Sequence, residues 1–242
     1  IDSCHGLKKW QVLNFRAVVA YKEGNFPDAE ETLLQALREP DCKPHVHKNM
    51  ALILAIQGKL NQALPFAEKA FEFQKEEKIL ELRTIQIYLN CLLDVSKTER
   101  VLEIMDIVEE KFPDDKNVLV AKASALRSTG KREEALELLD RLIERWPAEP
   151  IMVRIKADLL GDRNPFEALP FYEKALKLSI EKNGKPDPAI QWNMSLHLLR
   201  VRDIARGWEC WEQGFHPIVG TMGRNLPTRI KTMGRADLKG KE

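Results

Sequence analysis

Thr129–Ile143, TGKREEALELLDRLI, reads as a tight turn followed by an amphipathic helix. Gly130 suits a turn that needs a positive φ. The charged run after it is interrupted by Ala135, Leu138, Leu139 and Leu142, spaced three and four apart as one buried face of a helix requires. The small residue Ala135 stands early on that face, with the larger Leu139 one turn later.

The same arrangement returns in EGNFPDAEETLLQAL (23–37), QGKLNQALPFAEKAF (57–71) and DRNPFEALPFYEKAL (162–176), with Ala29, Ala63 and Ala168 in the place of Ala135. Val101 takes that place in SKTERVLEIMDIVEEKFP (96–113), and Gly207 takes it in WNMSLHLLRVRDIARGWECWEQGF (192–215). The gaps are 34, 38, 34, 33 and 39 residues. A second marker runs seven positions later through Ala36, Ala70, Val108, Leu142, Ala175 and Gly214. A third, in the preceding helices, runs through Ala17, Ala51, Leu89, Ala123, Ala157 and Ser195. Two antiparallel helices and two turns account for such a period. Small residues let the backbones cross closely, and Leu33, Phe66, Leu139, Tyr172 and Trp211 are expected to fill the space beside them. One hairpin buries only part of its apolar face, so neighbours must stack.

Composition narrows the function. The 242 residues are 44% hydrophobic and 31% charged, ordinary for a globular protein. A net charge of +1 argues against a general nucleic-acid binder. No apolar run approaches the roughly 18 residues of a membrane span. The first residues, IDSCHGLKKW, lack the apolar stretch of a signal peptide, and with no initiator Met they are expected to open a fragment. Cys4, Cys42, Cys91 and Cys210 are widely separated and read as free thiols in a reducing, cytoplasmic setting. No Gly-rich phosphate loop, HExxH or GxSxG is present, so no catalytic constellation and no cofactor are expected. Cys42, His45 and His47 are close in sequence, but the two histidines point to different sides of a helix, and adventitious spacing is favoured over a metal site. Paired glutamates such as Glu133 and Glu134 are expected to be solvated charge.

This register resembles the tetratricopeptide repeat, a helical hairpin whose pattern runs W-x2-L-G-x2-Y, then A-x3-F, then P. The second-helix element is present in four of the repeats, and Pro113 and Pro147 close two units; the first-helix Trp and Gly are mostly missing. The resemblance implies an all-α fold, a right-handed α-solenoid of about six hairpins over residues 10–214. A short N-terminal segment, 1–9, would precede it, and an irregular basic extension, 215–242, would follow. Two inserts, QKEEKILE (74–81) and IEKNGKPDP (180–188), break the period and are expected to be loops, the second a possible hinge.

The resemblance further implies a concave surface lined by first helices. Polar residues that interrupt those helices are the candidates for a peptide-binding groove: Gln11, Asn14, His45, Lys48, Asn49, Arg83, Gln86, Asn90, Ser124 and Arg127. Lys48, Arg83 and Arg127, taken as equivalent inward positions of successive repeats, would supply positive charge for carboxylates or phosphates. Asn49 and Asn90 could bond a peptide backbone, because an amide both donates and accepts. The competing reading of any one of them is that a helix needs a wet side. Chaperone-tail binding is not expected: Lys48 fits, but Leu52 stands where an Asn would be needed.

Residues 192–215 pack three of the five tryptophans beside Gly207 and Gly214. A glycine costs roughly 1 kcal/mol against alanine inside a helix, and Trp208 and Trp211 are the candidates to offset it. The run Asn193, Ser195, Leu196, Leu198, Leu199, then Asp203, Gly207, Trp208, Trp211 and Glu212 resembles the last tetratricopeptide repeat of bacterial proteins that carry a glycosyltransferase domain downstream. Pro227, Asp237, Leu238, Gly240 and Lys241 resemble the linker and domain start of that family. The family's basic residue after Glu212 and its Trp before the domain start are absent. The resemblance implies a protein- or peptide-binding module, the docking or acceptor-binding arm of a larger glycosyltransferase, with Trp208 and Trp211 as a docking platform. The alternatives are a free-standing adaptor and, as a third class, a small metal- or ligand-binding enzyme.

Overall fold

The computed structural model describes residues 7–40, 42 and 44–213. Among them are twelve helices and no strand. They pair along the chain as hairpins: α1 (Lys9–Lys22) with α2 (Phe26–Leu37), α3 (Pro44–Ile56) with α4 (Leu60–Glu76), and α5 (Leu82–Asp94) with α6 (Thr98–Lys111). Then follow α7 (Lys116–Ser128) and α8 (Arg132–Arg145), α9 (Pro150–Gly161) and α10 (Pro165–Asn183), and α11 (Pro188–Arg200) and α12 (Ile204–Glu212). Gly214 and the whole extension 215–242, with the linker-like residues singled out there, lie outside the described residues.

Local chemistry sets the helix ends. Asn25, Asp115, Asn164, Asp187 and Asp203 each accept a backbone N–H from the first turn that follows. Pro27, Pro150, Pro165 and Pro188 sit where a helix start has no use for an N–H. Inside five hairpins the chain reverses through a left-handed residue: Gly24, Gly58, Ser96, Gly130 and Arg202. Each lies seven residues after the first-helix marker. The next N–H bonds the carbonyl five residues back, as Asn25 N–H does to Ala20 O (2.9 Å) and Lys131 N–H to Leu126 O (2.9 Å), which ties off the end of the first helix. The α9–α10 hairpin differs. Ala157 and Ala168 are one residue closer than the other pairs, and no left-handed residue stands between them. Asn164 N–H instead bonds Leu160 O at 3.0 Å.

The marker residues are buried as close crossing demands. Ala29, Ala63, Val101, Ala135 and Ala168 are fully buried, and Ala17, Ala51, Leu89, Ala123, Ala157 and Ser195 nearly so. Leu33, Leu139 and Tyr172 fill the space beside them. Phe66 and Trp211 are half-buried instead. Phe66 falls one position short of the core row, where Ala67 stands, and lies against His47 with ring centroids 6.0 Å apart.

The inserts are partly helix. The first extends α4 over the buried Gln74, whose Oε1 accepts Glu81 N–H at 3.1 Å. The second extends α10 to Asn183, and the buried Ser179 just before the insert accepts Asp187 N–H through its Oγ at 3.1 Å. Both residues stand eleven positions after the small residue of their helix, so one device closes both extensions.

The chain divides into two compact units, residues 1–142 and 143–242. The core of the first runs from Trp10 to Ala125 and includes Phe71 tilted against Tyr88, with ring centroids 5.0 Å apart. The core of the second is built on Val153, Ala157, Tyr172, Met194 and Leu198.

Candidate functional site

In the first unit the buried markers turn one side of each first helix inward and leave the other open. Arg83, Asn90 and Asp94 share the open side of α5, and Asn117 and Ser128 that of α7. Between these two helices lies a depression of about 270 Å³ lined by Gln86, Asn90, Leu93, Asn117, Val120 and Ala121. Its floor is apolar and its rim is made of carboxamides. Gln86 Nε2 donates to Asp115 at 3.2 Å, so the α7 cap holds that side chain in place; Asn90 and Asn117 stand on the rim.

The sequence-derived groove residues divide into those occupied and those open. Asn49 Nδ2 donates to Asn14 Oδ1 at 2.8 Å, which joins α3 to α1. Lys48 is half-buried in an ion pair with Glu81 at 3.0 Å. Ser124 Oγ donates to Val120 O at 2.9 Å, and Gln11 Oε1 accepts Lys8 N–H at the start of α1. His45 is exposed and edge-on to Phe73, while His47 turns toward Phe66. Burial, then Lys69, depresses the His47 pKa. Arg83 is exposed and its guanidinium lies 3.4 Å from the Tyr21 hydroxyl. Arg127 is half-buried, with Nε unbonded.

The three basic residues are not equivalent. Lys48 precedes its marker Ala51 by three, Arg83 precedes Leu89 by six, and Arg127 follows Ala123 by four. At 3.6 residues per turn these offsets fall within about 80° of one another, so the three share a side of their helices but stand at different heights along them, and Lys48 is already paired.

The second unit holds a polar cluster that sequence reasoning missed. Asp158 is only 7% exposed, on the α9 side facing α10 and α11. Its carboxylate accepts from Tyr172 Oη at 2.5 Å, from Arg154 Nη1 at 2.8 Å and from Asn193 Nδ2 at 3.2 Å. His197 stacks on Tyr172 with centroids 5.2 Å apart and lies against Gly161, where a methyl group would come within contact-forbidden range of its ring. Arg200 Nη1 donates to Gly161 O at 2.7 Å. Burial first, then Arg200, pushes the His197 pKa down against the opposing pull of Asp158 and Asp162. The signal was available. Arg154 and Asp158 stand three before and one after the marker Ala157, as Gln86 and Asn90 do about Leu89.

At the end of this unit Trp211 contacts Trp192 at 4.3 Å and Trp208 at 6.1 Å between centroids. The space a Cβ would take at Gly207 is filled by Leu199 Cδ2, 2.6 Å away, rather than by a tryptophan ring. Gly207 is therefore the close-crossing residue of α12 on α11, and the tryptophans lie elsewhere on the hairpin.

The family model described as tetratricopeptide repeat matches residues 120–188, which run from α7 to the start of α11. Over that stretch the chain carries tetratricopeptide repeats. Solved tetratricopeptide proteins share the fold: one from Thermus thermophilus is 19% identical, with 78% of this chain and 99% of that chain covered at a TM-score of 0.54. Another, from Parabacteroides merdae, is 16% identical over 92% of this chain and 96% of that one, at 0.52. MamA of Desulfovibrio magneticus RS-1 is 15% identical over 73% of this chain and 98% of that one, at 0.60. No curated protein matches the sequence. Among the described residues no helix is long and apolar enough to cross a membrane.

Proposed function

We propose that the chain is a protein- or peptide-binding module and that the open side of α5 and α7 is its binding surface. The observation that carries this is the 270 Å³ depression with an apolar floor and the carboxamides of Asn90 and Asn117 on its rim. An apolar floor takes a side chain, and each carboxamide offers a donor and an acceptor to a peptide backbone. Arg83, exposed on the same face of α5, adds one positive charge. The test is selection from a random peptide library, followed by cross-linking from a photoreactive residue at position 117. Enriched peptides should cross-link there; peptides that bind yet cross-link nowhere on α5 or α7 would overturn the assignment.

A finer reading makes the module the docking or acceptor-binding arm of a bacterial glycosyltransferase. It is supported by the Asn193–Glu212 resemblance and by the tryptophan cluster that resemblance contains. In this reading Trp208 and Trp211 face the downstream domain and the setting is cytoplasmic. The alternative is a free-standing adaptor. Reading the open frame past Glu242 separates them: an in-frame α/β domain supports the arm, and its absence supports the adaptor.

A further inference from the structure

The helix that carries the Asn117 rim also carries a cation that the protein leaves without a counter-charge. Of the half-buried cations in the first unit, Lys48, Lys59, Arg100 and Lys122 pair with Glu81, Glu30, Glu72 and Glu109 at 2.7 to 3.0 Å. Arg127 is also half-buried, yet it forms no ion pair with any described residue, and its Nε is enclosed without a hydrogen-bond partner. Asp94, exposed on the open side of α5, is not paired with it. A charge taken partly out of water with no counter-charge is costly. Arg83 differs: it is exposed to water and lies against the Tyr21 hydroxyl.

Its position indicates what would satisfy Arg127. It follows Val120, which lines the depression, by seven residues. Seven residues are close to two turns, so Arg127 stands about 10 Å further along α7 and within about 20° of the same side. Ser124, between them, commits its hydroxyl to Val120 O at 2.9 Å and brings no charge.

We propose that the peptide bound at α5 and α7 is acidic: an apolar side chain fills the depression, and an Asp or Glu three residues away pairs with Arg127. This rests on the peptide-binding reading above. In an extended peptide of polyproline type, side chains three apart share a face and stand about 9 Å apart, close to the separation of Val120 and Arg127 along α7. A guanidinium bonds a carboxylate through a charge-assisted contact, stronger than one between neutral groups.

The test uses the full chain and C-terminally amidated peptides from the library selection, so that no terminal carboxylate takes part. Peptides that cross-link at position 117 should carry Asp or Glu three residues from their apolar anchor. Exchanging that carboxylate for its amide should weaken binding to the parent chain roughly ten-fold. Arg127→Gln should lose the same factor for the acidic peptide and nothing for its amide counterpart, while Arg127→Lys keeps part of it. If the peptides cross-link at 117 but the amide exchange leaves affinity for the parent chain unchanged, the proposal falls and the binding surface stands. If Arg127→Gln weakens both peptides equally, the residue acts through the fold and the proposal also falls. Peptides that bind without cross-linking on α5 or α7 remove the binding surface itself, and the proposal with it.

Discussion

Asp158 is the residue on which most of the second unit's polar bonding converges. Replacing it by Ala removes the acceptor of the Tyr172 hydroxyl and the Asn193 amide and the partner of Arg154. Unsatisfied buried donors cost about 1–3 kcal/mol each at most, and Arg154 keeps some solvent. Asp158→Ala is therefore expected to lose about 2–4 kcal/mol, read as a lower urea midpoint; an unmoved midpoint would mean the cluster contributes nothing. His197 makes a second prediction. Its folded pKa lies below the ordinary 6.5 because of burial and Arg200, so the unfolded chain takes up the proton first. Stability is then full above about pH 6.5 and falls as the pH drops through that value. His47 acts in the same direction, whereas the depressed Glu30 carboxylate acts only nearer its ordinary 4.5. Between about pH 7 and 5.5 the loss should shrink in His197→Gln, and a slope equal to the parent's would reject the assignment. The buried role of Asp158 was hidden in sequence, since an Asp in a helix usually faces water. Only its place beside Ala157 gave it away.

At the scale of elements, the turns were legible and their exceptions instructive. Gly24, Gly58 and Gly130 announce left-handed turns with open space around them, but Ser96 and Arg202 adopt the same conformation without the glycine that marks it. A non-glycine there costs roughly 1–2 kcal/mol, and glycine gives part of that back as unfolded-state entropy. Ser96→Gly should stabilise by about 0.5–1 kcal/mol and Gly130→Ala should destabilise by about 1 kcal/mol, as thermal or urea midpoints will show. Gly161 is a different case. Its φ is ordinary, but an added Cβ would collide with His197 Cε1, in a ring already held against Tyr172. Gly161→Ala should cost on the order of 1–3 kcal/mol through overpacking; a neutral result would mean the ring can move aside. The inserts were read as loops because the helix pattern weakens there. Gln74 and Ser179, polar residues buried to bond a backbone N–H, break the apolar period while extending the helix.

For the whole molecule, small residues recurring near every 34 positions were enough to place twelve helices in hairpins, because close crossing leaves few choices of residue. The binding surface was less legible. Packing does not dictate what stands on an open face, so Lys48, Asn14, Asn49, Gln86 and Ser124 looked as available as Asn90, although the structure engages their side chains. The central claim is that the open side of α5 and α7 binds peptide through Asn90 and Asn117. Affinity of a library-selected peptide for the parent chain and for Asn90→Ala with Asn117→Ala, at matched helicity, tests it most directly. Two backbone-directed bonds at about 0.5–1.5 kcal/mol each predict a loss of roughly five- to one-hundred-fold. An unchanged affinity in the double variant would contradict the account.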